Sequence, residues 1–114
     1  MKKYILRFNV VNKETFLNIK SGEKTVETRA ASERYENIKA GDVLVLVCGK
    51  ERFEKKVKKA TIFKTIRALL KKYPIKRIEP KLSTEQELRD TYYTYPNYKE
   101  KIQKHGLIAL ELKN

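Results

Sequence analysis

The segment SGEKTVETRAASERYENIKAGDVLVL, residues 21–46, decides the fold expected for this chain. Gly22 suits the end of a helix, and KTVETR has the β-branched and threonyl residues of a strand. A polar loop with a short helical turn follows, and Gly41-Asp42 suits a tight turn. The apolar run after that turn predicts a buried strand over Val43–Cys48. The segment therefore predicts two strands joined by a polar loop.

Further strands are expected on both sides of this segment. KKYILRFNVV alternates apolar and polar residues with the period of a half-buried strand. Asn12 is placed to cap a helix over residues 13–20. ERFEKKVKKATIFKTI predicts one long strand, in which the KKVKK run is a solvated face. The segment HGLIALELKN predicts a last strand with apolar residues on both faces.

Helical patterns fill the region between the long strand and the last one. The apolar spacing after Lys64 predicts a helix that stops before Pro74. PIKRIEPKL is a connector with room for one helical turn. Ser83 and Gln86 form a capping-box pattern for a helix through about Tyr95. A Tyr-rich, partly helical stretch then leads into the last strand.

Strands near both ends and helices in the middle predict an α+β fold. The simplest arrangement is a single domain over residues 1–114, with mostly antiparallel strands curled into a small β-barrel and flanking helices. The first and last strands are expected to pair and close the barrel.

The charge balance points to a polyanionic partner. The chain has 27 Lys and Arg against 14 Asp and Glu, a net charge of +13. Nucleic acid is the leading candidate, since no amphipathic membrane anchor stands out. Charged residues also reach 36%, as in heat-adapted proteins, but heat adaptation alone would raise both signs.

The remaining composition narrows the function classes. A single Cys and a single His argue against a zinc site built from the usual soft ligands, and no metal or other cofactor is expected. Cys48 lies in an apolar strand and is expected to be a core thiol. The basic start of the chain lacks a continuous apolar run, so a cytoplasmic protein without a membrane segment is expected.

Three charged residues form the first candidate site. A strand end with a bulge would bring Lys24 next to Glu27 and Arg29. The guanidinium fork, the ammonium group and the carboxylate together suit recognition of a polar planar ligand. The alternative is a solvent-exposed row of ion pairs that adds little stability.

Tyrosines and lysines near the C-terminus form a second candidate. Rings interleaved with cations can stack bases and neutralise phosphates. Tyr93, Tyr98, Lys99 and Lys101 are the candidates for this role. The alternative is a buried helical stripe, and it is the favoured interpretation for the remaining tyrosines of the cluster, Tyr92 and Tyr95.

SGEKTVETR, IKAGDVLVL and the final HGLIALEL together resemble the ASCH domain of the PUA-like superfamily. The similarity spans nearly the whole chain, including the helical middle, where small archaeal single-domain members are similar. It implies a small barrel with helices at its flank and a ligand cleft between them. The family's G-x-K-x-x-E-x-R type motif corresponds here to Gly22, Lys24, Glu27 and Arg29.

The resemblance also implies a function. The family's proposed general role is RNA binding, in translation, RNA processing or transcription coactivation. This gives an RNA-binding protein that holds a base or nucleotide with Lys24, Glu27 and Arg29, with no protein partner identified. The alternative is a hydrolase acting on a modified nucleoside or on RNA, with Lys24 and Glu27 as catalytic residues.

One departure bears on that alternative. Family members that are amidohydrolases for acylated cytidines carry a Thr three residues after the Lys and a Glu from the helical segment. Glu27 occupies the Thr position here, and Glu79 lies in the region of the acidic partner. The amidohydrolase pattern is therefore incomplete.

Overall fold

The computed structural model describes residues 1–113; Asn114, which the sequence assigns to the end of the last strand, lies outside them. The elements follow the expected order, and no helix within the described residues has the length and apolar character needed to cross a bilayer. In chain order the elements are β1 (Lys3–Phe8), a 3₁₀ turn (Val10–Asn12), α1 (Lys13–Ser21), β2 (Val26–Ala30), β3 (Val43–Cys48), β4 (Glu51–Phe63), α2 (Ile66–Lys72), α3 (Ile75–Ile78), α4 (Glu85–Tyr93), α5 (Tyr98–His105) and β5 (Leu107–Leu112).

The strands form one curled sheet in the order β1-β3-β4-β5-β2. β1 runs parallel to β3, and the other pairings are antiparallel, which confirms a mostly antiparallel sheet in an α+β fold. The long β4 pairs with β3 through its first half and with β5 through its second half. A register shift between Val57 and Lys59 separates the two halves. Such irregularities bend a strand, and the result is a half-barrel.

The expected pairing of the first and last strands is wrong. β5 lies between β4 and β2, and the two edges of the sheet are β1 and β2. The reason is that β4 and β2 pair with the two edges of β5, so β5 has no free edge to pair with β1. The half-barrel therefore stays open between β1 and β2, and we call this opening the seam.

The two faces of β5 serve two hydrophobic clusters, as its sequence pattern predicts. Ile108 and Leu110 pack in the cluster between α1 and the first part of the sheet. Leu107 and Ala109 pack in the cluster formed with the helices that follow β4. Cys48 is buried in the first cluster, which confirms it as a core thiol. β5 thus joins the barrel side of the molecule to its helical side.

The predicted turn and the predicted capping box are both present, but the capping box lies one residue from its predicted position. Asp42 follows the expected Gly41 turn, and its carboxylate accepts hydrogen bonds from the backbone N–H groups of Lys2 and Lys39, both at 3.0 Å. The capping box of α4 is Thr84 with Glu87, not Ser83 with Gln86. Both pairs have suitable chemistry, and the observed register is the one that buries Leu88 and Tyr92 on the same face of α4.

Candidate functional site

A pocket of about 230 Å³ lies at the seam. The end of β1 and the 3₁₀ turn form one wall, β2 forms the opposite wall, and residues of α1, α3, α4 and α5 complete it. Lys24, Glu27 and Arg29 all line this seam pocket, as the sequence predicts. The pocket exists because the sheet does not close, and the open edges of β1 and β2 face it.

Lys24 precedes β2, and its side chain is hydrogen-bonded to the backbone of both β2 and α3. Its ammonium group donates hydrogen bonds to the carbonyl oxygens of Val26, at 2.8 Å, and Ile78, and it lies 3.3 Å from Glu27 Oε1. An ammonium group has three hydrogens, so these partners account for its donors. Lys24 is only 3% exposed. The alternative of a solvent-exposed ion-pair row is therefore wrong, because α3 and the pocket walls cover these charges.

Glu27 is the shared anion of this cluster. Its Oε1 accepts from Lys24 and from the backbone N–H of Thr28, and its Oε2 accepts from Arg29 Nε at 3.0 Å. Burial alone would raise the pKa of Glu27, but the charges of Lys24 and Arg29 outweigh burial and hold that pKa below its ordinary value. Glu27 is therefore a fixed carboxylate, and three of its roughly four acceptor positions are used by Lys24, Thr28 and Arg29.

Arg29 bridges the seam from β2 to β1. Its Nη2 donates to the carbonyl oxygen of Arg7 at 3.3 Å, and its guanidinium group lies over the rings of Phe8 and Tyr35, 4.9 and 5.7 Å from their centroids. Burial would lower the pKa of Arg29, but Glu27 raises it, so the guanidinium stays charged. Its other N–H groups remain for a ligand, since the hydrogen bonds to Glu27 and Arg7 use only part of a five-donor fork.

Glu79 is the pocket carboxyl group with only one of its two oxygens in a hydrogen bond among the described residues. It follows α3, and its Oε2 is 3.5 Å from the hydroxyl of Thr15 on α1. Its Oε1 is buried and has no hydrogen-bond partner among the described residues. Burial raises the pKa of Glu79, against the opposing charges of Lys24 and Lys81. The seam pocket therefore holds one carboxylate fixed by three protein partners, Glu27, and one carboxyl group with an unpartnered oxygen, Glu79.

The tyrosine cluster divides between the pocket and other surfaces. Tyr92 is buried, and its hydroxyl group lies 2.5 Å from Thr28 Oγ1; Tyr95 and Tyr98 also line the pocket. The hydroxyl of Tyr98 accepts from the backbone N–H of Ala30 at 3.1 Å. This confirms the core interpretation for Tyr92. Tyr98 is half-buried and has a role in holding the free edge of β2.

The other predicted nucleic-acid residues stand outside the pocket. Tyr93 is 38% exposed and lines a separate shallow groove with residues of α4, α5 and the β4–α2 turn. The ammonium group of Lys99 lies 5.8 Å from the Tyr93 ring centroid. Lys101 is exposed, with its ammonium group 6.0 Å from the Tyr98 ring centroid. Of the four, only Tyr98 shares the pocket with Arg29.

The pocket also includes residues to which the sequence assigned no binding role. Phe8, Asn9 and Asn12 come from the end of β1 and the 3₁₀ turn, and Thr15 comes from α1. Of these, the sequence singled out only Asn12, as a helix cap, and its side chain makes no capping hydrogen bond. They become part of the site only because the seam brings β1 next to β2.

The family model of the ASCH domain matches residues 10–114. The chain belongs to the ASCH domain family. Its match includes β2, the Gly41 turn and β5, the elements that carry the resemblance seen in the sequence. No curated protein matches the sequence.

Two solved structures share the fold of this ASCH domain. The crystal structure of hypothetical protein PH0355 is 26% identical in sequence with a TM-score of 0.84, over 99% of this chain and 98% of that one. The solution structure of protein PF0455 from Pyrococcus furiosus is 25% identical with a TM-score of 0.75, over 97% of this chain and 96% of that one. The half-barrel with its helices is thus an architecture that this chain shares with both of these solved proteins.

Proposed function

We propose that this ASCH protein binds RNA in the cytoplasm by taking one nucleobase or nucleotide into the seam pocket. The ASCH family is generally thought to bind RNA, and the chain carries a net charge of +13. Both points favour a polyanionic partner. They leave open how the ligand is recognised, and the pocket supplies that part of the proposal.

The unpartnered Oε1 of Glu79 is the observation that carries the proposal. A buried acceptor without a partner costs free energy, and a ligand N–H group would satisfy it. The side chains of Phe8, Tyr92 and Tyr95 offer apolar walls for a flat ring. At about 230 Å³, the pocket is smaller than those of drug-sized ligands and suits a single base.

The charged cluster has a defined part in this proposal. Lys24 and Glu27 hold one another and fix Arg29, whose remaining donors can meet base or phosphate oxygens. Lys101 lies outside the pocket, with its ammonium group 6.0 Å from the ring centroid of the pocket residue Tyr98, and Lys99 lies on the same helix, α5. These lysines would contact phosphates of the strand that carries the bound base. Tyr93 would offer a further stacking surface outside the pocket.

The test separates base recognition from charge. Wild type and variants are titrated with free nucleosides and with single-stranded RNA across a salt series. Glu79→Met, which removes the acceptor, should weaken nucleoside binding about tenfold, whereas Glu79→Gln keeps an acceptor oxygen and should bind within about threefold of wild type. Lys99→Ala/Lys101→Ala should weaken RNA binding about evenly across sequences and reduce the salt slope by about two.

A matched control removes the same charge elsewhere. Lys58→Ala/Lys59→Ala lowers the net charge equally on the exposed face of β4. Equal losses of RNA affinity for the two lysine pairs would show that positive charge contributes to binding irrespective of its position on the surface. Nucleoside binding that is absent in wild type, or insensitive to Glu79→Met, would reject base recognition in the pocket.

A hydrolase acting on a modified nucleoside or on RNA is the second candidate, and Glu79 is the observation that favours it. A carboxyl group with a raised pKa inside a pocket suits proton transfer. Lys24 and Glu27 would serve as a catalytic pair only if Lys24 exchanged one of its hydrogen bonds for the substrate. Product analysis of the same titrations, extended to acylated cytidines, decides the matter: Glu79→Gln should abolish turnover while binding persists.

A further inference from the structure

Two adjacent valines next to the seam pocket are unusually exposed. Val10 is 73% exposed and Val11 is 89% exposed, and no other large apolar side chain among the described residues exceeds Val11. Single exposed apolar residues are common on protein surfaces. A neighbouring pair on an ordered turn, where neither side chain contributes to a core, needs a different account.

The position of the pair is fixed by the fold. Val10 and Val11 form the first two residues of the 3₁₀ turn between β1 and α1. The residues on either side of them, Asn9 and Asn12, both line the seam pocket. The backbone N–H of Asn12 donates to the Asn9 carbonyl at 2.8 Å, which closes the turn. The valines therefore lie on the turn that borders the pocket, with their side chains in solvent and outside the pocket lining.

We propose that Val10 and Val11 form an apolar wedge that occupies the space left when a base leaves an RNA stack and enters the pocket. This inference rests on the proposed binding of a base in the seam pocket. Removing a base from its stack costs several kcal/mol and leaves its neighbours with exposed faces. Aliphatic side chains beside the receiving pocket cover those faces and offset part of the cost.

The chemistry around the pair fits a nucleic acid strand better than a protein surface. Arg7 and Lys13 flank the turn with exposed side chains, and the Lys13 ammonium group is paired with Glu51 at 3.4 Å. The amide side chains of Asn9 and Asn12 lie between them. The nearest acidic residue in sequence, Glu14, is held by Lys81 at 2.8 Å. An apolar tip between cations and amides suits a stacked base whose two phosphates lie on either side.

The wedge predicts that stacked RNA and free nucleosides respond differently to one change. The probe is an RNA stem-loop with one fluorescent adenine analogue whose emission rises when it leaves the stack. Wild type should increase the emission. Val10→Ser/Val11→Ser should lose most of that increase and bind the stem-loop about tenfold more weakly. Its affinity for the free nucleoside should match that of wild type.

Controls separate the wedge from folding and from the function of the pocket. Both valines lie in solvent, so the variant should unfold at the same urea concentration as wild type. Ile62→Ser, at a 49% exposed site on β4, removes apolar surface elsewhere and should leave every readout unchanged. Stem-loop binding and emission equal to wild type in the valine variant, with nucleoside binding intact, would overturn the wedge alone. If wild type binds no nucleoside, the proposal of base binding in the pocket is rejected, and the wedge proposal is rejected with it.

Discussion

On β2, Glu27 is 4% exposed and holds two cations, whereas on β4 the lysines at 56, 58 and 59 all lie in solvent. Both strands carry charged residues, yet β2 is an edge of the sheet and β4 is near its centre. An edge strand is usually the more exposed one. Here the helices that follow β4 cover β2, and its free edge faces the seam pocket.

The role of a row of charged side chains on a strand therefore depends on which elements cover that strand. The ion pairs of β1 and β4, such as Lys3 with Glu54 at 3.1 Å, have side chains about half exposed. Solvent weakens such pairs. The Lys24–Glu27–Arg29 cluster has been removed from solvent, so each of its charges depends on the others. Changing single members of each group is the way to test the contrast.

The largest effect is expected for Glu27→Ala. This change leaves Lys24 and Arg29 buried without their anion, and it should lower the free energy of unfolding by about 3–5 kcal/mol. Urea denaturation at neutral pH measures it, with Glu54→Ala as the matched change on the exposed strand. A loss for Glu27→Ala no larger than that for Glu54→Ala would remove the distinction between the two rows.

A smaller, pH-dependent effect is expected within the pocket itself. The raised pKa of Glu79 means that the folded state holds its proton more tightly than the unfolded state. Stability should therefore fall as the pH rises from the ordinary carboxyl pKa through the folded pKa of Glu79. Because Glu27 is present in both proteins, comparing wild type with Glu79→Gln isolates the contribution of Glu79 to the pH dependence of stability. The stability advantage of Glu79→Gln should grow over that range, and a constant difference would contradict it.

The smallest effect is expected for the exposed pair. A double-mutant cycle on Lys3→Ala and Glu54→Ala should give a coupling of about 0.2–1 kcal/mol at low salt. Raising the salt concentration should screen most of that coupling. A coupling that stays above about 2 kcal/mol in high salt would place this pair with the buried cluster rather than with the surface charges.

Much of the fold could be predicted from local patterns. The alternation of β1, the two apolar faces of β5, the turn at Gly41 and the one-turn helix after Pro74 each depend on near neighbours in the chain. Such patterns are set by the periods of strands and helices and by turn chemistry. The predicted capping box of α4 was displaced by one residue, because the overlapping pairs Ser83–Gln86 and Thr84–Glu87 satisfy the same local pattern.

The site could be predicted only in part. The motif placed Lys24, Glu27 and Arg29 together, but their burial depends on α3 and on the seam, which lie far from β2 in sequence. The available carboxyl of Glu79 and the contribution of Asn9 and Asn12 depend on the same long-range packing. The sequence pattern also does not distinguish Lys101, whose ammonium group lies near the pocket residue Tyr98, from Tyr93, which lines a different groove.

Residue types and spacings of a few residues were enough to indicate the family, the order of most elements, the basic character and the three charged residues of the motif. That β1 and β2, not β1 and β5, face each other across the opening depends on long-range strand pairing. β4 and β2 occupy both edges of β5, and the opening left between β1 and β2 holds the pocket. Burial then made a fixed carboxylate of Glu27 and left a buried acceptor on Glu79, since the partners of each come from distant elements.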